Sequence, residues 1–474
     1  MSPRFKALSV AVALWPLLLS AQPAPPPDEP PVTLPAVLSS VVAHYPLIEA
    51  ARQDVAAAEA ELRAAQGGFD PEVRARATQI PFGPYPYTRL ETTVQQPTTL
   101  WGTTVFGGWR YGAGEIPPYY GNLETNRLGE VRAGVSVPLF RNGAVDRRRA
   151  SLSRAGINQD AAAFAVDQAK LETSRTAAQR YWDWVAAGRR RAVAQALLQI
   201  ARDRDAQIAE RVRRGDIPAL ERTDNSRALV QREGQVVSAD RLLQQTAIEL
   251  SLFFRDPDGD PLLPPPERLP QGFPSLPPPD FLADEARVER VLARRPDLQR
   301  LQTQKEAQRV EQGFALNQQR PQVDVSAAAI QDLGRGSEKL GKPELELGLT
   351  VEIPTFNRAA TGRSRAIEAS VARLDAQLQL QRERAVAETR DALSALETAH
   401  QRVALARREV ELARSLEQGE RARFFMGDSS LFVVNLREQA AAEAAVREVD
   451  AMAEYFKAEA SLRAAIALPF TEAG

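Results

Sequence analysis

The sequence predicts a mainly α protein with a small β part, built as two tandem structural repeats of one unit. Three observations carry this: motifs that occur twice in the same order, two proline-free helical segments of great length, and short segments that alternate polar with apolar residues. The doubled motifs come first, because an internal repeat decides the architecture. His44-Tyr45-Pro46 leads through a helical stretch to Pro71-Glu72-Val73, and Arg294-Arg295-Pro296 leads likewise to Pro321-Gln322-Val323. In both cases 25 residues separate the two prolines. Val135-Ser136-Val137-Pro138-Leu139-Phe140 is echoed by Val351-Glu352-Ile353-Pro354-Thr355-Phe356. Each echo opens a long helical segment that runs to a glycine, in Arg214-Gly215-Asp216 and in Met426-Gly427-Asp428. The intervals from Pro138 to Gly215 and from Pro354 to Gly427 are 77 and 73 residues, about one helical turn apart. The repeats are placed at 36–255 and 281–474. Between them, ten of the 25 residues of 256–280 are proline. Proline removes backbone donors and blocks regular structure, so this is an extended connector. A Pro-rich leader at 22–35 is expected to be mobile.

Helix composition dominates each repeat. Ala144 to Arg213 and Ala359 to Arg423 hold no proline and are rich in Ala, Arg, Gln and Leu, which are strong helix formers apart from their side-chain differences. In the second segment Ile367, Val371, Leu374 and Leu378 fall at coiled-coil spacing. After a phase slip the stripe continues as Ala385, Thr389, Ala392, Leu396, Ala399, Val403, Ala406, Val410 and Ala413. Small residues in such a seam let helices approach closely. A 70-residue helix is roughly 105 Å long, so it must pack against neighbours along its length. The helical pattern resumes at Glu221 to Phe253 and at Leu431 to Ala467. Each repeat therefore holds a helical hairpin that turns at its glycine. Asp216 and Asp428 to Ser430 are candidate caps for the returning helices.

Four segments alternate with period two. Val73-Ala75-Ala77 oppose Arg74-Arg76-Thr78, and Val131-Ala133-Val135-Val137 oppose Arg132-Gly134-Ser136. Val323-Val325-Ala327 oppose Asp324-Ser326, and Leu345-Leu347-Leu349-Val351-Ile353 oppose Glu344-Glu346-Thr350-Glu352. Aliphatics on one face and charges on the other suit a transmembrane barrel strand, and also a half-buried strand of a soluble sheet. Pro81 to Tyr120 concentrates Phe82, Tyr85, Tyr87, Trp101, Phe106, Trp109, Tyr111, Tyr119 and Tyr120 among many glycines and prolines. It is expected to be a long aromatic loop or hairpin at the outer surface, with Thr103 to Tyr111 compatible with a further strand.

Composition excludes several chemistries. With 60 Lys+Arg against 61 Asp+Glu, global charge gives no reason to expect nucleic acid. The chain has no cysteine, and its two histidines, His44 and His400, are too few for an imidazole cage or triad. No cofactor, metal or catalytic residue is expected. Arg4 and Lys6, the apolar run Ala7 to Ser20 and small residues at Ser20 and Ala21 read as a signal peptide over 1–21. The run is shorter than the roughly 20 residues of a membrane span. No other span-length apolar stretch is read from the sequence, so any membrane insertion is expected to be as a β-barrel.

In their order and spacing, Pro46 with Pro71, Val135 to Phe140, Tyr181-Trp182-Asp183 and the tip glycine resemble the TolC-type outer-membrane efflux proteins. Arg295-Pro296-Asp297-Leu298, Val351 to Phe356 and Arg423-Phe424-Phe425-Met426-Gly427 add the second repeat. The resemblance spans about Pro35 to Pro469. It implies a homotrimer: an α-barrel of very long helical hairpins standing in the periplasm, joined to a shared twelve-stranded β-barrel in outer-membrane lipid, four strands per chain. It implies a passive export duct of a tripartite efflux or type I secretion system, whose tips dock on a periplasmic adaptor coupled to an inner-membrane pump. By position, the docking tips are Arg213, Arg214, Gly215, Asp216 and Ile217, and Phe425, Met426, Gly427, Asp428 and Ser429. An exported periplasmic coiled-coil adaptor or scaffold shares the signal and the hairpins but not the doubled strand pairs. An exported carboxylate enzyme is disfavoured, because the acids alternate with arginines on charged helix faces.

One departure from the family bears on the pore. Relatives often carry aspartates six or nine positions after the second glycine, where this chain has Val433 and Leu436; the first repeat has Glu221 and Asp224 at those offsets. An apolar constriction around Leu431, Val433 and Leu436 is the resulting expectation, against simple packing of those residues within the hairpin. Val433→Asp is then expected to introduce cation block in single-channel recordings; unchanged conductance and block would remove Val433 from the constriction.

Overall fold

A computed structural model describes residues 30–116, 124–276 and 292–470. The expected signal peptide, the first part of the Pro-rich leader, Tyr119 and Tyr120 lie outside the described residues. In chain order the elements are α1 (Leu34–His44), α2 (Pro46–Gln66), β1 (Glu72–Ile80), β2 (Tyr87–Pro97), β3 (Thr104–Gly114) and β4 (Glu130–Pro138). They continue with α3 (Arg147–Arg213), α4 (Ala219–Ser251), α5 (Pro296–Asn317), β5 (Gln322–Asp332), β6 (Glu344–Glu352), α6 (Arg358–Phe425) and α7 (Leu431–Ala465).

The doubled prolines explain the doubled boundaries. Pro46 and Pro296 occupy the first turns of α2 and α5, where a missing N–H costs nothing and the fixed φ suits a helix. Pro71 and Pro321 each stand directly before β1 and β5. Asp146 caps α3, its side chain accepting from the Arg149 amide at 2.8 Å. With 67 residues in α3 and 68 in α6, each rod runs about 100 Å. Helix α3 packs against α1, α2, α4, α5 and α7, while α6 packs against α5 and α7. The alanine-rich seam behaves as its spacing requires: Ile367, Leu374, Ala385, Thr389, Ala392, Leu396, Ala399, Val403, Ala406 and Val410 are all buried.

The thickest part of the core surrounds the Tyr181-Trp182 pair. Trp182 stacks on Phe456 with ring centroids 4.4 Å apart and on Phe273 at 5.8 Å. The Tyr181 hydroxyl donates to the Val32 carbonyl at 3.1 Å, and burial pushes its phenol up to about 12. Phe273 belongs to the Pro-rich connector, whose Leu262, Leu269 and Leu276 also pack on this core. The described end of the leader is likewise docked rather than mobile. Val32 is buried and its amide donates to the Arg268 carbonyl at 2.9 Å. Residues 34–69 reach the length and apolarity of a membrane span, contrary to the sequence reading. The stretch is nevertheless broken at Tyr45, and Val37, Leu38, Val41 and Ile48 are packed inside the protein.

The sheet corrects the expectation of four strands per chain. Among the described residues six antiparallel strands lie in sequence order, β1 to β6. The aromatic segment is not only a surface loop, because it supplies β2 and β3 in the middle of the sheet. Its alternation was masked by threonine, which sits on both faces, and by glycine, which marks neither. Register tracks one continuous polar face across all six strands: Arg76, Glu91, Arg110, Glu130, Asp332 and Glu344 are successive or near-successive neighbours along it. The opposite face carries Val73, Val94, Val105, Val135, Val325 and Leu347, all exposed.

Where α5 begins, Arg295 Nε and Nη2 donate to the two Asp297 carboxylate oxygens at 3.0 and 2.8 Å, and Gln381 donates to Asp297 at 2.8 Å. Burial alone would raise the Asp297 carboxyl, but these bonds together outweigh it and hold the group below its ordinary range. Ionised Asp297 therefore contributes stability that is complete above the unfolded value of about 3.9. That contribution is lost as the pH falls through the lower folded value. Asp297→Asn is expected to lower the denaturation midpoint near neutral pH, with the gap to the parent closing below about pH 4; a gap independent of pH would contradict this.

Candidate functional site: the hairpin tips and the two-faced sheet

The tips stand at the ends of the rods away from the sheet, and the two turns have the same backbone. In the first, the amides of Arg214, Gly215 and Asp216 donate to the carbonyls of Glu210, Val212 and Arg211 at 3.1, 3.0 and 2.9 Å. In the second, Met426, Gly427 and Asp428 donate to Ala422, Phe424 and Arg423 at 3.2, 3.1 and 2.9 Å. The offsets match bond for bond, the pattern of a Schellman helix end. It needs a left-handed residue at the turn, and Gly215 and Gly427 have φ of 80° and 86°. A Cβ at either glycine would meet nothing within 4 Å, so backbone conformation and not space requires glycine there. The expected caps do not form. Pro218 occupies the cap position of α4 in place of Asp216, and Ser430 precedes α7 without a side-chain capping bond.

The same backbone displays different chemistry at the two tips. Arg213, Arg214 and Asp216 are exposed on the first, with Glu210 paired to both arginines, and Ile217 is half-buried. On the second, Phe425 and Met426 are 74 and 75 % exposed beside exposed Asp428, while Ser429 Oγ turns inward to Glu420. The tips lie side by side, with the Arg211 guanidinium 5.7 Å over the Phe424 ring. Of the residues considered for the constriction, Leu431 is buried, at 1 % exposure. Leu436 is exposed and Val433 half-buried. Glu221 and Asp224 are both half-buried on the first turns of α4, with Asp224 paired to Arg227 at 3.4 Å.

A buried ionic cluster joins all four rods behind the tips, with Arg204 and Glu438 each eleven residues from the tip glycine of their own hairpin, about 16 Å along the axis. Glu438 of α7 is fully buried and receives Arg204 of α3, Arg232 of α4 at 3.1 Å and Arg421 of α6 at 3.0 Å. Asn435 Oδ1 accepts from Arg204 at 2.7 Å. Burial lowers the Arg204 guanidinium, partly offset by Glu438, and burial raises the neighbouring Glu417 carboxyl against the pull of Arg421. The sequence reading missed this cluster by treating every acid as part of a solvated face. The signal was present: Glu438 continues the stripe Leu431, Val434, Ala441, Ala444 at helical spacing.

Solved structures share the overall fold of this chain. The outer membrane protein VceC of Vibrio cholerae aligns over 93 % of this chain and 97 % of its own, with a TM-score of 0.65 and 17 % identity. The Campylobacter jejuni CmeC outer membrane channel aligns over 100 and 96 %, with a TM-score of 0.64 and 14 % identity. The outer-membrane channel OprN aligns over 92 and 89 %, with a TM-score of 0.63 and 16 % identity. The chain has the TolC-type outer-membrane channel fold. No protein-family model matches the sequence, and the comparison of the sequence with curated proteins found no match. The likeness therefore lies in the spacing of elements and not in residue identities, as the doubled prolines and glycines already indicate.

Glu438→Gln removes the carboxylate that Arg204, Arg232 and Arg421 share, leaving Arg421 its pair with Glu417 at 2.7 Å. The expected loss is about 3 kcal/mol, the scale for stripping one partner from a buried ion cluster. It would be read from the chemical-denaturation midpoint of the helical signal. A loss near zero would show that the cluster is solvated and does not bind the hairpins together.

Proposed function

We propose that this protein is the outer-membrane duct of a tripartite efflux or type I secretion system, catalysing no reaction and using no cofactor. Three copies enclose a common axis: the rods form an α-barrel in the periplasm, and the sheets close a β-barrel in outer-membrane lipid. The tips, Arg213 to Ile217 and Phe425 to Ser429, dock on a periplasmic adaptor that couples the duct to an inner-membrane pump. Nucleic acid has no part in this reading. The observation that carries it is the sheet. An exposed apolar face with Leu345, Leu347 and Leu349 at 72, 72 and 67 % exposure is costly in water. Against lipid it is what a barrel strand requires, with the charged face turned to an aqueous lumen. Rods of about 100 Å supply the reach across a periplasmic gap.

The duct reading distinguishes the two faces of β6. Leu347→Arg places a charge against hydrocarbon, at a cost of about 2–4 kcal/mol per chain near the midplane, and is expected to deplete the protein from the outer-membrane fraction. Thr350→Arg, on the polar face opposite Asp324, is expected to insert like the parent. Equal behaviour of the two variants, with release as a soluble periplasmic protein, would favour a scaffold instead.

A further inference from the structure

We infer that the β2–β3 hairpin is part of the membrane wall, so that three copies close an eighteen-stranded barrel by pairing β1 of each copy with β6 of the next. This rests on the proposed duct. Among the described residues of one chain the sheet has two free edges, β1 and β6, because the strand order is β1 to β6 without closure. A strand edge in hydrocarbon leaves backbone groups unsatisfied, so both edges need a partner strand. A second copy fits each. Six alternating strands place β1 and β6 antiparallel to one another, so head-to-tail pairing keeps the antiparallel pattern around the ring.

The faces and charges of the two edges also agree. Register through the sheet puts Arg74 and Arg76 of β1 on the same face as Glu344, Glu346 and Glu352 of β6. A basic edge thus meets an acidic edge on the polar side, while Val73 and Ala75 meet Leu345 to Val351 on the apolar side. The inserted hairpin obeys the same division. Arg89, Glu91, Thr93 and Gln95 share the polar face, and Leu90, Val94, Val105, Trp109 and Tyr111 share the apolar one. Trp109 and Tyr111 stack there with centroids 6.3 Å apart, and Trp109 Nε1 donates to the Leu128 carbonyl at 2.8 Å. The lower turn of the hairpin is seated against the sheet–helix junction. Gln96 Nε2 donates to the Phe69 carbonyl at 2.5 Å, and Gly102 lies so close to the Asn142 carbonyl that a Cβ would not fit.

The consequence is a wider duct in the membrane. With strands about 4.8 Å apart and tilted about 40°, eighteen strands give a backbone diameter of about 36 Å, against about 24 Å for twelve.

The test uses the full-length protein in proteoliposomes. Because the chain has no cysteine, introduced thiols alone report. Fluorophores on Val94→Cys, Leu347→Cys and Glu91→Cys are read against brominated acyl chains. Quenching of the Val94 and Leu347 labels with the Glu91 label protected supports the inference. Quenching at Leu347 but not at Val94 would take the hairpin out of the wall and leave the duct reading standing. Quenching at neither would sink the duct reading itself. In parallel, Ala75→Cys is combined with Leu347→Cys, Leu349→Cys or Val351→Cys under oxidising conditions. A covalent trimer from one register is expected. Absence of any intermolecular link, in protein that still quenches at Leu347, would overturn the β1–β6 closure.

Discussion

A helix of 67 residues cannot bury its apolar stripe against a compact core, and this constraint organises the molecule. The stripe has to be covered lengthwise by other rods, and alanine makes that possible by allowing axes to approach closely. Helix α3 accordingly touches α1, α2, α4, α5 and α7. The shorter helices α2 and α5 cover the part of the rods nearest the sheet, and the returning helices α4 and α7 cover the part nearest the tips. Around Trp182 the section thickens into a core of large side chains, closed on one side by the Pro-rich connector through Phe273.

The two halves of the chain carry equivalent elements whose exposed side chains differ. The two tips share every turn hydrogen bond and a left-handed glycine, yet one presents arginines and the other Phe425 and Met426. Equivalent backbone with divergent side chains gives two distinct surfaces at one end of the rods. The buried Glu438 cluster sits just behind them and draws one arginine from each of the other three rods. Burying charge in this way contributes little net stability compared with apolar packing, but it penalises any arrangement in which one rod slides relative to the rest.

In the sheet the two halves are not equivalent. The second repeat contributes one hairpin, β5–β6, and the first contributes four strands, with β2–β3 inserted between β1 and β4. The insertion preserves the alternation of faces because two antiparallel strands restore both direction and parity. A single added strand would have reversed β4 and with it the entry into α3.

Much of this was legible in the sequence. The prolines at 46, 71, 296 and 321, the glycines at 215 and 427 and the alanine seam of α6 fixed the element order, because each imposes a local backbone demand that neighbours cannot override. The apolar alternation of β6 was equally plain, since Leu and Glu leave no doubt about face. Two features were decided only by the tertiary structure. Residues 87–114 are rich in Thr, Gly and aromatics, which suit either face or a loop, and only pairing with β1 and β4 makes them strands of the sheet. Glu438 looks like any surface acid until four helices converge on it, because burial of a charge depends on partners from three other elements that no local pattern brings together.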